Sequence, residues 1–252
     1  MIDLIGKVVL ITGGSRGIGA ATAHLLAQAG ADIAITYQKN RKAAERVKRD
    51  VESLGPECLV IRADASKQRD VKRAVKNVAD HFGSIDILVN NAGVWTHGAI
   101  GKMTEKVWDE TLDTNLKGTF LFCNEVVSYM KKQRGGRIIN IASTAGQRGE
   151  AFHSHYAASK GGMIAFTKSI GAELAPFRVY ANCIAPGWVD TDMSANSLRL
   201  PARFRDIIKT IPNGRVAGPE DIAGAVLYLA SAYASHLVGS TISINGGGVM
   251  VG

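Results

Sequence analysis

The chain has 252 residues, 46% apolar and 21% charged, enough to bury one large core and too apolar for general disorder. Its net charge of +8 favours an anionic ligand or partner, although the densest basic segments, 39–49 and Arg69, Lys72, Arg73 and Lys76, also read as solvated helix faces. No apolar run reaches the roughly 18 residues of a membrane span, no leader layout precedes the first strand-like segment, and Cys58, Cys123 and Cys183 are too scattered for a disulfide framework or a metal site, so the composition predicts a cytoplasmic protein.

In chain order, short apolar runs alternate with longer helical patterns. Val8–Ile11 is followed by Thr12-Gly13-Gly14-Ser15-Arg16-Gly17-Ile18-Gly19 and a helix over 17–29. Ile33–Ile35 runs to Tyr37 and a basic helix over 41–54, and Cys58–Ile61 precedes a helix over 67–82. Ile85–Val89 leads into Asn90-Asn91-Ala92-Gly93 and a long helix over 104–132. Ile138–Ala142 ends on Ser143, before a helix over 155–175 that opens with Tyr156-Ala157-Ala158-Ser159-Lys160. Val179–Ala185, a helix over 219–231 and Thr241–Ile244 complete the series. Strands apolar throughout predict an α/β fold, a Rossmann-like doubly wound parallel sheet of about seven strands with helices on both faces, in a single domain over 1–252. In such folds ligands bind beyond the carboxyl ends of the strands.

The residues at those ends carry chemistry. Glycines between a first strand and a helix let backbone N–H groups approach a pyrophosphate, although a purely structural turn uses the same residues. A tyrosine and a lysine four residues apart share a helix face, so the Lys160 ammonium can lower the Tyr156 pKa and make the pair an acid/base. Ser143 can donate a hydrogen bond to a substrate oxygen, or serve only as a helix cap.

Taken together, the TGxxxGxG spacing, Asn90–Gly93, Asn115, Ser143, the Tyr156/Lys160 pair, Pro186-Gly187, Thr191 and Asn245-Gly246-Gly247 resemble the short-chain dehydrogenase/reductase family over nearly the whole chain. The resemblance implies hydride transfer between nicotinamide and a ketone or secondary alcohol, with Asn115, Ser143, Tyr156 and Lys160 as the catalytic set. It gives Lys160 a second task on the nicotinamide ribose, and makes Asn115 the helix kink and water holder of a proton relay. It further implies a cofactor held by Gly13, Ser15, Arg16, Gly17, Ile18 and Gly19 at the pyrophosphate. Tyr37 and Lys39 fall at the adenosine ribose, Asp64 and Ala65 at adenine, Asn91, Ala92 and Gly93 at its ribose, and Pro186, Gly187, Val189 and Thr191 at the nicotinamide. NAD-specific members place an acid at the end of the second strand. Here Tyr37 stands there, with Arg16, Lys39 and Arg41 nearby, which favours NADP(H) over NAD(H).

Within the family the chain looks nearest to 3-oxoacyl-[acyl-carrier-protein] reductases, implying a carbonyl substrate that is small or carrier-bound. Lys131, Lys132, Arg134 and Arg178 are expected near the cleft, facing an acidic carrier. A sugar or small-alcohol dehydrogenase is the alternative within the family, and a noncatalytic NADP-binding sensor the alternative outside it. Nucleic-acid binding is disfavoured because the basic segments lack interleaved aromatics. Related proteins form dimers or tetramers through their fourth and fifth main helices, where Ala157, Ala158, Gly161 and Gly162 would allow close approach. Residues 188–214, with Leu198, Leu200, Phe204, Ile207 and Ile208, are the expected substrate lid or else a structural helical pair. Trp95, Phe152, Trp188 and Met193 are candidates for an apolar pocket, and His153 and His155 for its wall rather than for a metal site.

Overall fold

The computed structural model describes residues 2–251, and its seven strands form one parallel sheet. The strands are β1 (Val8–Ile11), β2 (Asp32–Tyr37), β3 (Cys58–Arg62), β4 (Ile87–Asn90), β5 (Gly136–Ile141), β6 (Val179–Pro186) and β7 (Thr241–Ile244), in the spatial order β3-β2-β1-β4-β5-β6-β7. The order reverses between β1 and β4, and that switch point opens a crevice beyond the strand ends.

Alternation along the strands sends most apolar strand residues to one of two large cores, while Cys183 of β6 joins Met163 in a small third one. Val9 and Ile11 join Ile33, Ile35, Leu26 and Val226 beneath α1 (Gly17–Gln28), α2 (Arg41–Glu52) and α10 (Pro219–Ala230). Val8 and Leu10 join Val75, Leu88, Phe122 and Ile138 beneath α3 (Gln68–Phe82) and α5 (Gly118–Lys132), with α7 (Ser154–Leu174) on the same side. Because both faces are buried, the strands read as continuous apolar runs.

The expected helix over 104–132 is three pieces: α4 (Glu105–Leu112), a π-helical turn (Asp113–Lys117) and α5. The Thr119 hydroxyl donates to the Asn115 carbonyl oxygen at 2.8 Å within this stretch, a bond of the kind that bends helices. The short α6 (Ala145–Arg148) packs on α7 so closely that a Cβ on Gly161 would stand 3.2 Å from the Gly146 oxygen, and the π-helical turn packs there too, a Cβ on Gly162 standing 2.8 Å from Leu116. Both glycines thus serve packing within the chain.

Lys131 and Lys132 end α5, Arg134 follows, and Arg178 directly precedes β6, with its carbonyl accepting from Gly136 N at 3.2 Å. This basic group lies at the amino edge of the sheet, opposite the chain's own cleft rather than beside it, because each of these residues feeds the start of a strand.

Candidate active site

The glycine turn joins β1 to α1. Gly13 adopts φ +64°, which suits glycine, and a Cβ on Gly19 would stand 2.5 Å from the Gly13 oxygen. Gly19 is therefore a packing position and does not line the cleft, in contrast to its expected cofactor contact. The α1 N-terminus has no side-chain cap, so its first N–H groups remain free to meet an anion. Beside it, Thr12 Oγ1 accepts from Asn91 N and Ala92 N at 3.0 and 2.9 Å, while Asn91 Nδ2 donates to the Thr12 and Gly13 oxygens. Thr12, an anchor that sequence reasoning missed, ties the turn to the end of β4.

A cleft of about 520 Å³ follows. It is lined by Gly13, Ser15, Arg16, Gly17, Ile18, Tyr37, Lys39, Asp64, Ala65, Asn91, Ala92, Gly93, Ser143, Tyr156, Lys160, Pro186, Gly187, Val189 and Thr191, so every expected cofactor residue except Gly19 meets in one surface. No carboxylate stands in the run Tyr37-Gln38-Lys39-Asn40 at the end of β2, all of which lines the cleft. Burial pushes Asp64 up, but bonds from Ser66 Oγ and N at 2.8 and 3.0 Å, another from Gln38 and the charge of Lys67 together leave it below the ordinary carboxylate range. Arg16 pairs with Asp192 at 3.2 Å, both about two-thirds exposed, a contact too wet to hold either firmly. Arg41 pairs with Glu45 at 3.3 Å and lies outside the cleft.

Ser143, just past β5, accepts from Ala145 N at 3.1 Å at the start of α6, and its own O–H faces the Tyr156 phenol. Lys160 is buried and donates from Nζ to the Ile141 oxygen at 2.6 Å, leaving further N–H donors available. Its nitrogen lies 5.8 Å from the centre of the Tyr156 ring. The expected depression of the tyrosine pKa is not what this arrangement gives. Withdrawal from water pushes the Tyr156 phenol up to about 12 against the pull of Ser143, and burial pushes the Lys160 ammonium down to about 8. Burial disfavours the charged form of each, but near neutrality Tyr156 holds its proton as an acid while Lys160 still carries its charge.

Asn115 is buried behind the cleft and does not line it. Its Oδ1 accepts from Val94 N at 2.8 Å, and its Nδ2 donates to the Val94 oxygen and to Ser159 Oγ at 3.0 and 3.1 Å. It thus fixes the loop after β4 against α7. Deeper still, Asn90 Nδ2 donates to Asn140 Oδ1 at 2.8 Å and Asn140 Nδ2 to Thr167 Oγ1 at 2.9 Å, joining β4, β5 and α7.

Residues 13–248 match a family model described as "Enoyl-(Acyl carrier protein) reductase". The chain is 40% identical over 247 residues to 3-oxoacyl-[acyl-carrier-protein] reductase FabG of Chlamydia pneumoniae, covering 98% of each chain. It is 38% identical to a 3-oxoacyl-[acyl-carrier-protein] reductase of Synechocystis sp., covering 99% of this chain and all of the other. The chain belongs to the short-chain dehydrogenase/reductase family. Among solved structures, levodione reductase superposes with TM-score 0.93 at 32% identity over 97% of this chain and 98% of the other, and gox2181 with 0.93 at 31% over 97% and 96%. As a short-chain dehydrogenase/reductase the chain is a nicotinamide-dependent oxidoreductase of C=O and CH–OH groups.

The substrate side of this reductase's cleft is built differently. Trp95, Trp188 and Met193 line it as expected, whereas Phe152 is exposed and stacks on His97 with ring centres 5.6 Å apart. His155 is buried and bonded through Nε2 to Thr96 Oγ1 at 3.0 Å, and among the described residues no cluster suited to a metal occurs. Arg148 and Glu150, which no motif marks, also line the cleft. Residues 188–214 contain two short helices, α8 (Ala195–Leu198) and α9 (Pro201–Lys209), whose Leu198 and Phe204 line a second cavity of about 550 Å³ on the far side of the Arg16–Asp192 pair. No helix among the described residues is long and apolar enough to cross a membrane.

Proposed function

We propose that the chain is an NADP(H)-dependent 3-oxoacyl-[acyl-carrier-protein] reductase, a cytoplasmic homo-oligomer with Ser143, Tyr156, Lys160 and Asn115 as its catalytic set and 188–214 as its lid. The observation that carries this reading is that the Ser143 and Tyr156 hydroxyls both border the cleft and lie within hydrogen-bonding reach of each other, two O–H donors suited to a single carbonyl oxygen. Near-full-length identity to curated 3-oxoacyl reductases supports the substrate. The family model's own description names an enoyl substrate, and the paired hydroxyls favour the ketone over that double bond.

A bound nicotinamide would supply the hydride, and the cradle fits it: an uncapped helix end for the pyrophosphate and a turn whose Gly13, Ser15, Arg16 and Gly17 line the cleft. In reduction, Tyr156 gives its proton to the substrate oxygen while Ser143 holds that oxygen by a hydrogen bond. Positioned proton transfer of this kind contributes about 10²–10⁴-fold to rate. Lys160 restores charge balance and, with its free N–H donors, is suited to ribose hydroxyls; Asn115 keeps the β4 loop and α7 in register. For the cofactor, the absence of a carboxylate in 37–40 together with Lys39 and the weakly held Arg16 supports a 2′-phosphate.

The test is steady-state turnover with NADPH and NADH on a carrier-bound 3-oxoacyl thioester, small ketones and sugars. The expected result is thioester reduction with NADPH preferred by about tenfold or more. NAD-dependent oxidation of sugars without thioester reduction would establish the dehydrogenase alternative, and bound cofactor without any turnover a sensor.

A further inference from the structure

Glu150 stands six residues before Tyr156, on the loop between α6 and α7, with its side chain 23% exposed. Trp95 Nε1 donates to its Oε2 at 3.2 Å, and His153 Nδ1 lies 3.6 Å from its Oε1 while also contacting the Ala151 oxygen at 3.1 Å. The Trp95 indole stacks on the His153 ring at 4.5 Å and 11°, and meets Trp188 edge-on at 5.9 Å. The loops after β4 and β6 and the α6–α7 loop thus clamp one carboxylate into the wall of the substrate side.

Of the two groups that hold it, the indole carries no charge and the His153 ring carries one only when protonated, and neither lysine nor arginine pairs with Glu150. Arg148, the last residue of α6, is exposed and bonded to neither Glu150 nor Tyr156. Glu150 is also near enough for its field to disfavour the Tyr156 phenolate, so its charge is felt where the reaction occurs.

We propose that Glu150 is a charge filter, a specificity residue that admits neutral 3-oxoacyl thioesters and esters and rejects free 3-oxo acids, whose carboxylate lies two bonds from the reacting carbon. The proposal rests on the reading of the cleft as a carbonyl-reducing site. A like charge within a few ångström in a partly dry cleft weakens binding by on the order of one to three decades. The filter matches the chemistry of a carrier-bound substrate, in which the acid is masked as a thioester.

The experiment compares kcat/KM with NADPH for ethyl 3-oxobutanoate and for 3-oxobutanoate in the wild type, Glu150→Gln and Glu150→Asp, with thermal unfolding showing that each protein is folded. The wild type is expected to prefer the ester by about 100-fold. Glu150→Gln keeps an acceptor for Trp95 and lowers that preference at least about tenfold, chiefly through KM for the acid, whereas Glu150→Asp retains it. An equal preference in the wild type and Glu150→Gln overturns the filter. So does a wild type that reduces acid and ester alike, a result that needs no variant. Failure of the wild type to consume NADPH with any carbonyl compound overturns the underlying reading instead, and the filter with it.

Discussion

The two walls of the cleft differ in what holds them. The cofactor wall is fixed by backbone and buried polar groups: the Gly13 turn, Thr12 bonded to the end of β4, Asn115 bridging to α7, and Lys160 anchored on Ile141. The facing segment, from Trp188 through α9, puts Met193 on the cleft and Leu200 and Phe204 beyond it, with 45%, 56% and 39% of their surface exposed. Where backbone must approach a ligand or a charge must be buried, few residue types fit. Where a flap only touches solvent and substrate, many do.

Substitutions should divide along this line. Lys160→Met is expected to abolish turnover yet stabilise the ligand-free protein by about 1–2 kcal/mol. Holding its pKa near 8 rather than 10.5 costs roughly 3 kcal/mol, offset by the lost bond to Ile141. The gain should be full below pH 8, where the ammonium is charged in both the folded and unfolded states. It should fade as pH rises to about 10.5, because the folded state sheds the proton first. Chemical denaturation at pH 7 and pH 10 reads this, and a variant less stable at pH 7 would contradict the buried-charge account. In the facing segment, Phe204→Ser should move stability by no more than about 0.5 kcal/mol while raising KM for a long acyl thioester several-fold. A large loss of stability with unchanged KM would make residues 188–214 a structural pair rather than a lid.

This same division governs what the sequence discloses. All seven strands were legible as short, mostly apolar runs, and β1 and β7 were placed to the residue although β7, at the edge of the sheet, is only half-buried. The cleft-lining turns were legible as well, since a glycine turn and a strand-end Asn-Ala-Gly tolerate few alternatives. Gly19 was misassigned because a glycine required for packing and one required for ligand approach look alike in sequence. The π turn at Asp113–Lys117 carries no breaker residue and rests on tertiary bonds from Asn115, so the helix over 104–132 read as continuous. Glu150 belongs to a loop with no motif and is significant only because Trp95, 55 residues earlier, reaches it. The Tyr156 pKa was misjudged for a related reason: helix spacing puts Lys160 on the same face but says nothing of desolvation, which outweighs it.

The central claim is that Tyr156 supplies the proton at a site whose cofactor wall stands without it. Single-turnover reduction of a 3-oxoacyl thioester by Tyr156→Phe, beside NADPH titration of the same protein, tests it most directly. The account predicts NADPH affinity within about threefold of wild type and a turnover rate lower by about 10²–10⁴-fold. Turnover retained within a few fold, with cofactor bound normally, would contradict it.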